Sequence, residues 1–312
     1  MNPALEIINV TKSYPGKDQP AVYNATLTLY KGKTLGLIGE SGCGKTTLLR
    51  IIAGFEIPEK GEVKVDGRIV VSDDITVAPA DRNVGMIFQD LALFPHLSVR
   101  DNILFGVTDK TPAERNLITE RMLELTNLVG LDKRLPGALS GGQQQRLALA
   151  RCMATSPQLV LLDEPFSNLD VALKQQVRGQ VGDLLKAART SAVLVTHDID
   201  DAVSLCDTVA VMKDGRVLQA ACFEVLYDQP ADEYVARLTG QREGNAAEDQ
   251  CGISRKGGCG LENGGRLQLK SRLGGQVNVG EKHQAESDGE GENIHGVKVQ
   301  GLGQIGAADG IE

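Results

Sequence analysis

What this sequence does without narrows its class before any motif is read. Tryptophan is absent and aromatic residues make up 4% of the chain, so a core has to be built from aliphatic side chains. With 41% hydrophobic residues over 312 positions there are enough for a sizeable one. A basic excess is also missing: 33 Lys and Arg stand against 41 Asp and Glu, a net charge of −8. That excludes a broad nucleic-acid footprint, which is basic, though not a local patch. No apolar run approaches the ~18 residues that cross a bilayer. The N-terminus, MNPALEIINV, lacks the basic and long apolar parts of a signal peptide. A soluble, cytosolic chain is expected, with membrane contact only through partners.

No two of the six cysteines form a CxxC pair. Cys43, Cys152, Cys206 and Cys222 sit in apolar segments and read as small buried hydrophobes in a reducing compartment. Cys251 and Cys259 flank a Gly-rich stretch, but two soft ligands with no nearby His make a weak metal site.

Residues 4–33 and 61–88 favour antiparallel strands, with an Asp66-Gly67 turn between β-prone runs. Thr34 to Ile38 reads as a buried strand feeding a Gly-rich loop, and Lys45 to Ala53 as a helix closed by Gly54. Helical spacing runs from Ala113 to Val129 through Leu117, Met122, Leu125 and Leu128, and another helix follows Ser140 as far as Met153. Unbroken apolar runs at 159–162 and 192–195 fit parallel strands covered on both faces, with an amphipathic helix, 171–188, between them. A hairpin turning at Lys213-Asp214-Gly215 and two short helices, 222–227 and 232–238, complete this part. Beyond Thr239 the composition changes: residues 241–312 hold nearly half of the 36 glycines and no aromatic residue. They read either as a small β-appendage or as a tail that buries too little to offset its ordering entropy.

Three motifs carry the chemistry. GESGCGKTT, Gly39 to Thr47, lies between the predicted strand and helix. There Gly39, Gly42 and Gly44 turn the backbone so that its N–H groups face an anion, and the helix adds its positive end. Lys45 is expected to reach the β- and γ-phosphates of a nucleotide, Thr46 to coordinate Mg²⁺, and Thr47 to contact the α-phosphate. Ser41 and Cys43 complete the loop. An ordinary glycine turn is the plainer alternative, and a nine-residue match in this context argues against it. The strand LVLLDE ends in Asp163 and Glu164, placing two carboxylates where phosphates sit. Asp163 suits the Mg²⁺ water shell; Glu164 suits orienting or deprotonating an attacking water. Alone, such a pair is more often a loop start or a helix cap. Between the two motifs, Leu139 to Gln143 read LSGGQ.

A phosphate loop, LSGGQ and a strand ending Asp-Glu, in that order, resemble the ATP-binding-cassette (ABC) ATPases, and over residues 4–240 the chain resembles the ATP-hydrolysing subunit of an importer. The resemblance implies an α/β P-loop NTPase fold with a RecA-like core, an antiparallel β subdomain and an α-helical subdomain at about 90–153. These form a nucleotide-binding domain over 1–240, followed by the Gly-rich region 241–312. It implies ATP and Mg²⁺ as ligands and a head-to-tail dimer in which Ser140, Gly141, Gly142 and Gln143 close over the other copy's ATP. Tyr14 resembles the aromatic stacked on adenine. Gln89 resembles the residue that contacts Mg²⁺ and water and senses the permease, Asp170 the link between the two sites, and His197 the switch contacting the γ-phosphate. Taken singly, Gln89 is a solvated polar residue, and His197 a core His or, with Asp198, half of a metal pair.

Further partners implied are transmembrane permease subunits and, through them, a solute-binding protein, which places the subunit at the cytoplasmic face of the inner membrane. Part of the apolar stretch 90–105 is then a groove for a permease helix as well as a core segment. The wording SGGQQQR with EPFSNLD resembles ferric-iron uptake ATPases; polyamine, sulfate, molybdate and sugar importers share the FQDLALFPHLSV-like text. A repair or ribosome-acting ATPase fits less well, because only 95 residues separate Lys45 from Ser140 and the chain has one cassette. A binding protein with a dead nucleotide site is opposed by intact Lys45, Asp163, Glu164 and His197.

Overall fold

The computed structural model describes residues 2–167, 169 and 171–240. The expectations for Asp170, Cys251, Cys259 and the Gly-rich region from 241 onward lie outside these residues.

Two sheets enclose one helix. The first is antiparallel: β1 (Pro3–Lys12), β2 (Val22–Tyr30), β4 (Lys60–Val65) and β5 (Arg68–Val71), in the order β2-β1-β4-β5. Its β4–β5 hairpin turns at Asp66 (φ 51°) and Gly67 (φ 79°), the left-handed pair that a two-residue turn requires. The second sheet has six strands in the order β10-β9-β3-β8-β7-β6. They are β3 (Thr34–Ile38), β6 (Val84–Ile87), β7 (Leu159–Asp163), β8 (Ser191–Val195), β9 (Thr208–Lys213) and β10 (Arg216–Ala221). All its pairings are parallel except β9–β10.

Helix α1 (Lys45–Ala53) packs between the sheets, its Leu48, Leu49, Ile51 and Ile52 buried against Leu5 and Ile7 of β1 and Leu159 and Leu161 of β7. The alternate residues Val160 and Leu162 face the opposite way, toward α4 (Gly141–Ala154) and α5 (Val171–Ala188). Both faces of the parallel strands are thus covered, which is why their sequences are apolar without alternation. A third cluster sets Val209 and Val211 of β9 against α6 (Ile199–Leu205), α7 (Phe223–Asp228) and α8 (Glu233–Leu238). Between β6 and β7 the chain inserts α2 (Val99–Leu104), α3 (Pro112–Leu125) and α4. Among the described residues no helix is long and apolar enough to cross a membrane.

Two local expectations are corrected. Val84–Ile87, expected to be antiparallel, crosses to the other sheet and pairs in parallel with β7. A strand's own sequence records its two faces but not which sheet it joins. The helix expected to run to Val129 ends at Leu125, because Asn127 is left-handed (φ 52°). Leu128 is buried from the loop beyond it, whereas Leu117, expected on the apolar face, is 66% exposed.

Candidate nucleotide site

Four neighbouring parallel strands, β3, β8, β7 and β6, end on one edge of the sheet, where each runs into a candidate motif. The phosphate loop follows β3, Thr196 and His197 follow β8, Asp163 and Glu164 close β7, and Gln89 follows β6. The carboxyl ends of parallel strands are where open α/β sheets place ligands.

The loop is held by its surroundings. A Cβ on Gly39 (φ 151°) would lie 2.1 Å from the Met212 carbonyl oxygen, and one on Gly44 (φ 103°) 2.0 Å from that of Ala21. Neither position accepts a side chain. Gly44 is the N-cap of α1 and no side chain caps that end; the first turn also lacks acidic residues. The N–H groups and positive end of α1 are therefore left for an anion. Lys45, 5% exposed, curls back so that Nζ donates to the carbonyls of Gly39 (2.7 Å) and Glu40 (2.9 Å). The loop thus wraps one positive charge. Cys43 packs 3.7 Å from that ammonium, and burial pushes its thiol up against the opposing pull of Lys45. The nucleophilic thiolate form is disfavoured.

Thr46 Oγ1 donates to Asp163 Oδ1 at 3.1 Å, linking the loop helix to β7. Asp163 is 8% exposed, and burial, reinforced by the nearby Glu164 charge, raises its pKa against the Thr46 hydrogen bond. A hydroxyl and a buried carboxylate whose burial Lys45 and Arg50 offset only in part are hard oxygen donors of the kind Mg²⁺ takes together with phosphate oxygens. The residues fit that ion. Glu164 has φ 45°, a conformation that costs energy in a non-glycine residue and concentrates at functional sites. Its backbone is fixed at both ends: Glu164 N–H donates to Val195 O (2.9 Å), and Ser167 Oγ donates to Glu164 O (2.9 Å). Its carboxylate Oε2 lies 3.2 Å from His197 Nδ1, joining the ends of β7 and β8.

His197 is itself flanked by an ion network. Lys174 and Arg178 of α5 engage Asp198 and Asp201, with Lys174 Nζ at 2.5 Å and 3.2 Å and Arg178 Nη2 at 3.8 Å and 2.6 Å, respectively. Thr196 Oγ1 donates to Asp201 Oδ2 (2.9 Å), and Asp198 caps α6 by accepting from Asp200 N–H. Asp198 is thus committed to cations of the protein and to a cap, which removes the His-Asp metal pair. Nothing in the sequence marked Lys174, Arg178 or Thr196, because their partners lie in another element.

LSGGQ serves a helix start. Ser140 Oγ accepts from Gln143 N–H, and Gln143 Oε1 accepts from Ser140 N–H (2.9 Å), a reciprocal capping box on α4. Each side chain accepts from the other's backbone N–H rather than bonding the phosphate loop of its own chain. Ser140 and Gly141 are exposed. The residues behind the iron-like wording face inward: Gln144 donates to Pro136 and Leu139 carbonyls, Gln145 to that of Pro165, and Arg146 to those of Gly142, Thr126 and Asn127. Tyr14 is half-buried on the β1–β2 connection, with the Lys12 ammonium 5.3 Å above its ring. Four of the six phenylalanines form two surface pairs, Phe55 with Phe88 (5.8 Å) and Phe94 with Phe105 (4.0 Å). Phe105 is 58% exposed, and Arg151 stacks on Phe94.

The family model described as ABC transporter matches residues 22–167, from β2 through the acid pair. Curated relatives include the Fe(3+) ions import ATP-binding protein FbpC of Pseudomonas fluorescens, 45% identical over 242 residues, covering 76% of this chain and 67% of that one. The chain belongs to the ABC transporter family. ATP binding and hydrolysis are characteristic of that family. The putrescine transport ATP-binding protein PotG of Escherichia coli is 44% identical over 242 residues, covering 77% and 63%. This ABC chain thus spans about two thirds of the length of those relatives. Among solved structures, the ATP-binding cassette MJ0796, a dimer in a post-hydrolysis state bound to ADP and Pi, superposes with a TM-score of 0.60. It is 30% identical, covering 70% of this chain and 98% of that one.

Proposed function

We propose that this protein is the ATP-hydrolysing subunit of an ABC importer and that its cargo is ferric iron. The observation carrying the engine is the Glu164–His197 contact beside the Thr46–Asp163 pair, all at the strand edge that bears the phosphate loop. Lys45 and the α1 N-terminus bind the β- and γ-phosphates. Thr46 and Asp163 would hold Mg²⁺, which would supply positive charge to offset that of the phosphates. Glu164, its backbone pinned and its carboxylate against His197, orients the attacking water and accepts its proton; His197 contacts the γ-phosphate. Gln89 adds a contact to the metal and the water, Ser41, Cys43 and Thr47 complete the phosphate cradle, and Tyr14 stacks on adenine.

The exposed start of α4 supports a composite site. Its first N–H groups, at the exposed Gly141 and the buried Gly142, lack intrahelical partners, and they bind the γ-phosphate held by a second copy, with Ser140 and Gln143 fixing the turn. Asp170 links the two sites. The aromatic pairs at Phe88 and Phe94, next to Gln89, form the groove for a transmembrane permease, which holds the subunit at the cytoplasmic face of the inner membrane and connects it to a solute-binding protein. The iron assignment rests on the resemblance of SGGQQQR and EPFSNLD to ferric-iron uptake ATPases and on the 45% identity to the FbpC relative; the similarly close PotG relative makes a polyamine the alternative cargo. Reconstitution with the co-purifying permease and binding protein tests it: ATP-dependent uptake of labelled ferric ion is expected. Uptake of putrescine with no iron movement would overturn the cargo and leave the engine standing.

A further inference from the structure

The last described helix meets the phosphate loop at Glu40, through the hydroxyl of Tyr234 and the guanidinium of Arg237. Tyr234, on α8 and 6% exposed, accepts a hydrogen bond at its Oη from the Glu40 N–H at 3.2 Å. That N–H belongs to the peptide unit whose other end, the Gly39 carbonyl, accepts from Lys45 Nζ at 2.7 Å. One peptide plane is thus clamped between the tyrosine hydroxyl and the phosphate-binding ammonium. The next carbonyl, that of Glu40, belongs to the following peptide unit and is taken by the same Nζ, so a rotation of the clamped plane moves one of the two oxygens that hold Lys45.

The tyrosine is fixed in turn. Its ring packs with Leu226, Val209 and Val211 in the third cluster, and the Lys213 and Arg237 cations lie 4.7 Å and 5.7 Å from its centroid. Arg237 also reaches the Glu40 carboxylate at 3.8 Å. Burial pushes the phenol up, so it stays a neutral hydroxyl able to accept from the peptide. Gly39 also lies close against the Met212 carbonyl, which an added Cβ would meet at 2.1 Å.

We propose that Tyr234 is a positioning residue for Lys45, and that through it α8 sets the affinity of the phosphate loop for ATP. The proposal rests on the nucleotide-site assignment, which Lys45→Ala tests separately: loss of ATP binding by that variant upholds the site whatever Tyr234 does. For Tyr234, the full chain is compared with Tyr234→Phe, which keeps the ring and its packing, and with Leu226→Ala, which loosens the same cluster without touching the loop. The ATP dissociation constant, kcat and Tm are read for each. A single net hydrogen bond corresponds to a change of roughly 3- to 10-fold. The expected result is a rise of that order in the dissociation constant for Tyr234→Phe, with kcat within about twofold of the parent. Leu226→Ala should lose Tm and keep its ATP affinity. An unchanged dissociation constant for Tyr234→Phe would overturn the proposal, as would an equal weakening by Leu226→Ala, which would make the effect general loosening.

Discussion

Asp163 shows how function is written into single residues at a cost to the fold. Its carboxylate sits in a buried pocket that holds its pKa up, with one hydroxyl to satisfy it. A carboxyl that is harder to ionise in the folded state than in the unfolded one loses stability as pH rises through its unfolded pKa toward the raised folded value. The charged form is therefore the one the fold disfavours, so replacing the charge should help the fold. Asp163→Asn is expected to keep or raise Tm in metal-free buffer, by about 2–4 °C for each kcal/mol recovered. It should also lose the dependence of ATP affinity on Mg²⁺. Calorimetry with and without Mg²⁺ reads both, and a fall in Tm would show the carboxylate to be stabilising instead. Residues of this kind were legible in the sequence because chemistry fixes their type and spacing: Lys45, Thr46, Asp163, Glu164 and His197 all converge on one sheet edge. Tyr234 was not legible, since a tyrosine in a short amphipathic helix looks like core, and nearly two hundred positions separate it from Glu40.

Among the elements, α5 and α6 carry the network that supports His197. Arg178 and Asp201 form a largely buried pair, with side chains 14% and 3% exposed. Arg178→Met removes one of two cations on Asp201 and leaves Lys174 at 3.2 Å, so the expected cost is that of a charged hydrogen bond, about 1.5–3 kcal/mol, seen as a lower denaturation midpoint at unchanged m. Asp198 adds a pH dependence. Burial alone raises it, but Lys174, with Arg178, outweighs burial and holds it below the usual carboxylate range. A depressed carboxyl gives stability that is complete above its unfolded pKa and is lost as pH falls through the folded one. Denaturation midpoints should therefore fall on acidification below about pH 4, and less steeply in Lys174→Met. Element identity was largely readable: the caps at Gly54 and Ser140, the Asp66-Gly67 turn and the apolar runs of β3, β7 and β8 announced themselves locally. Sheet membership was not. β6 carries the same short apolar signal as β4 and β5, and only the chain's passage between sheets, unmarked by any residue type, separates them.

For the whole molecule, the arrangement divides its work between two ends. The phosphate loop, acid pair and His197 gather on one sheet edge, while the capping box of α4 presents its N-terminus outward from the inserted helices and bonds nothing in its own phosphate loop. Under the proposed function, a site with its anion-binding parts split in this way would be completed by a second copy. Cargo choice is not written in Gln144, Gln145 and Arg146, because these serve backbone contacts within the fold. Glu164→Gln tests the central claim most directly, since it keeps the shape of the site and removes the base. Light scattering of that variant with ATP and Mg²⁺ should show a dimer that retains two unhydrolysed nucleotides, with turnover reduced by about 10²-fold or more. A nucleotide-bound monomer, or turnover at the parent rate, would contradict the account.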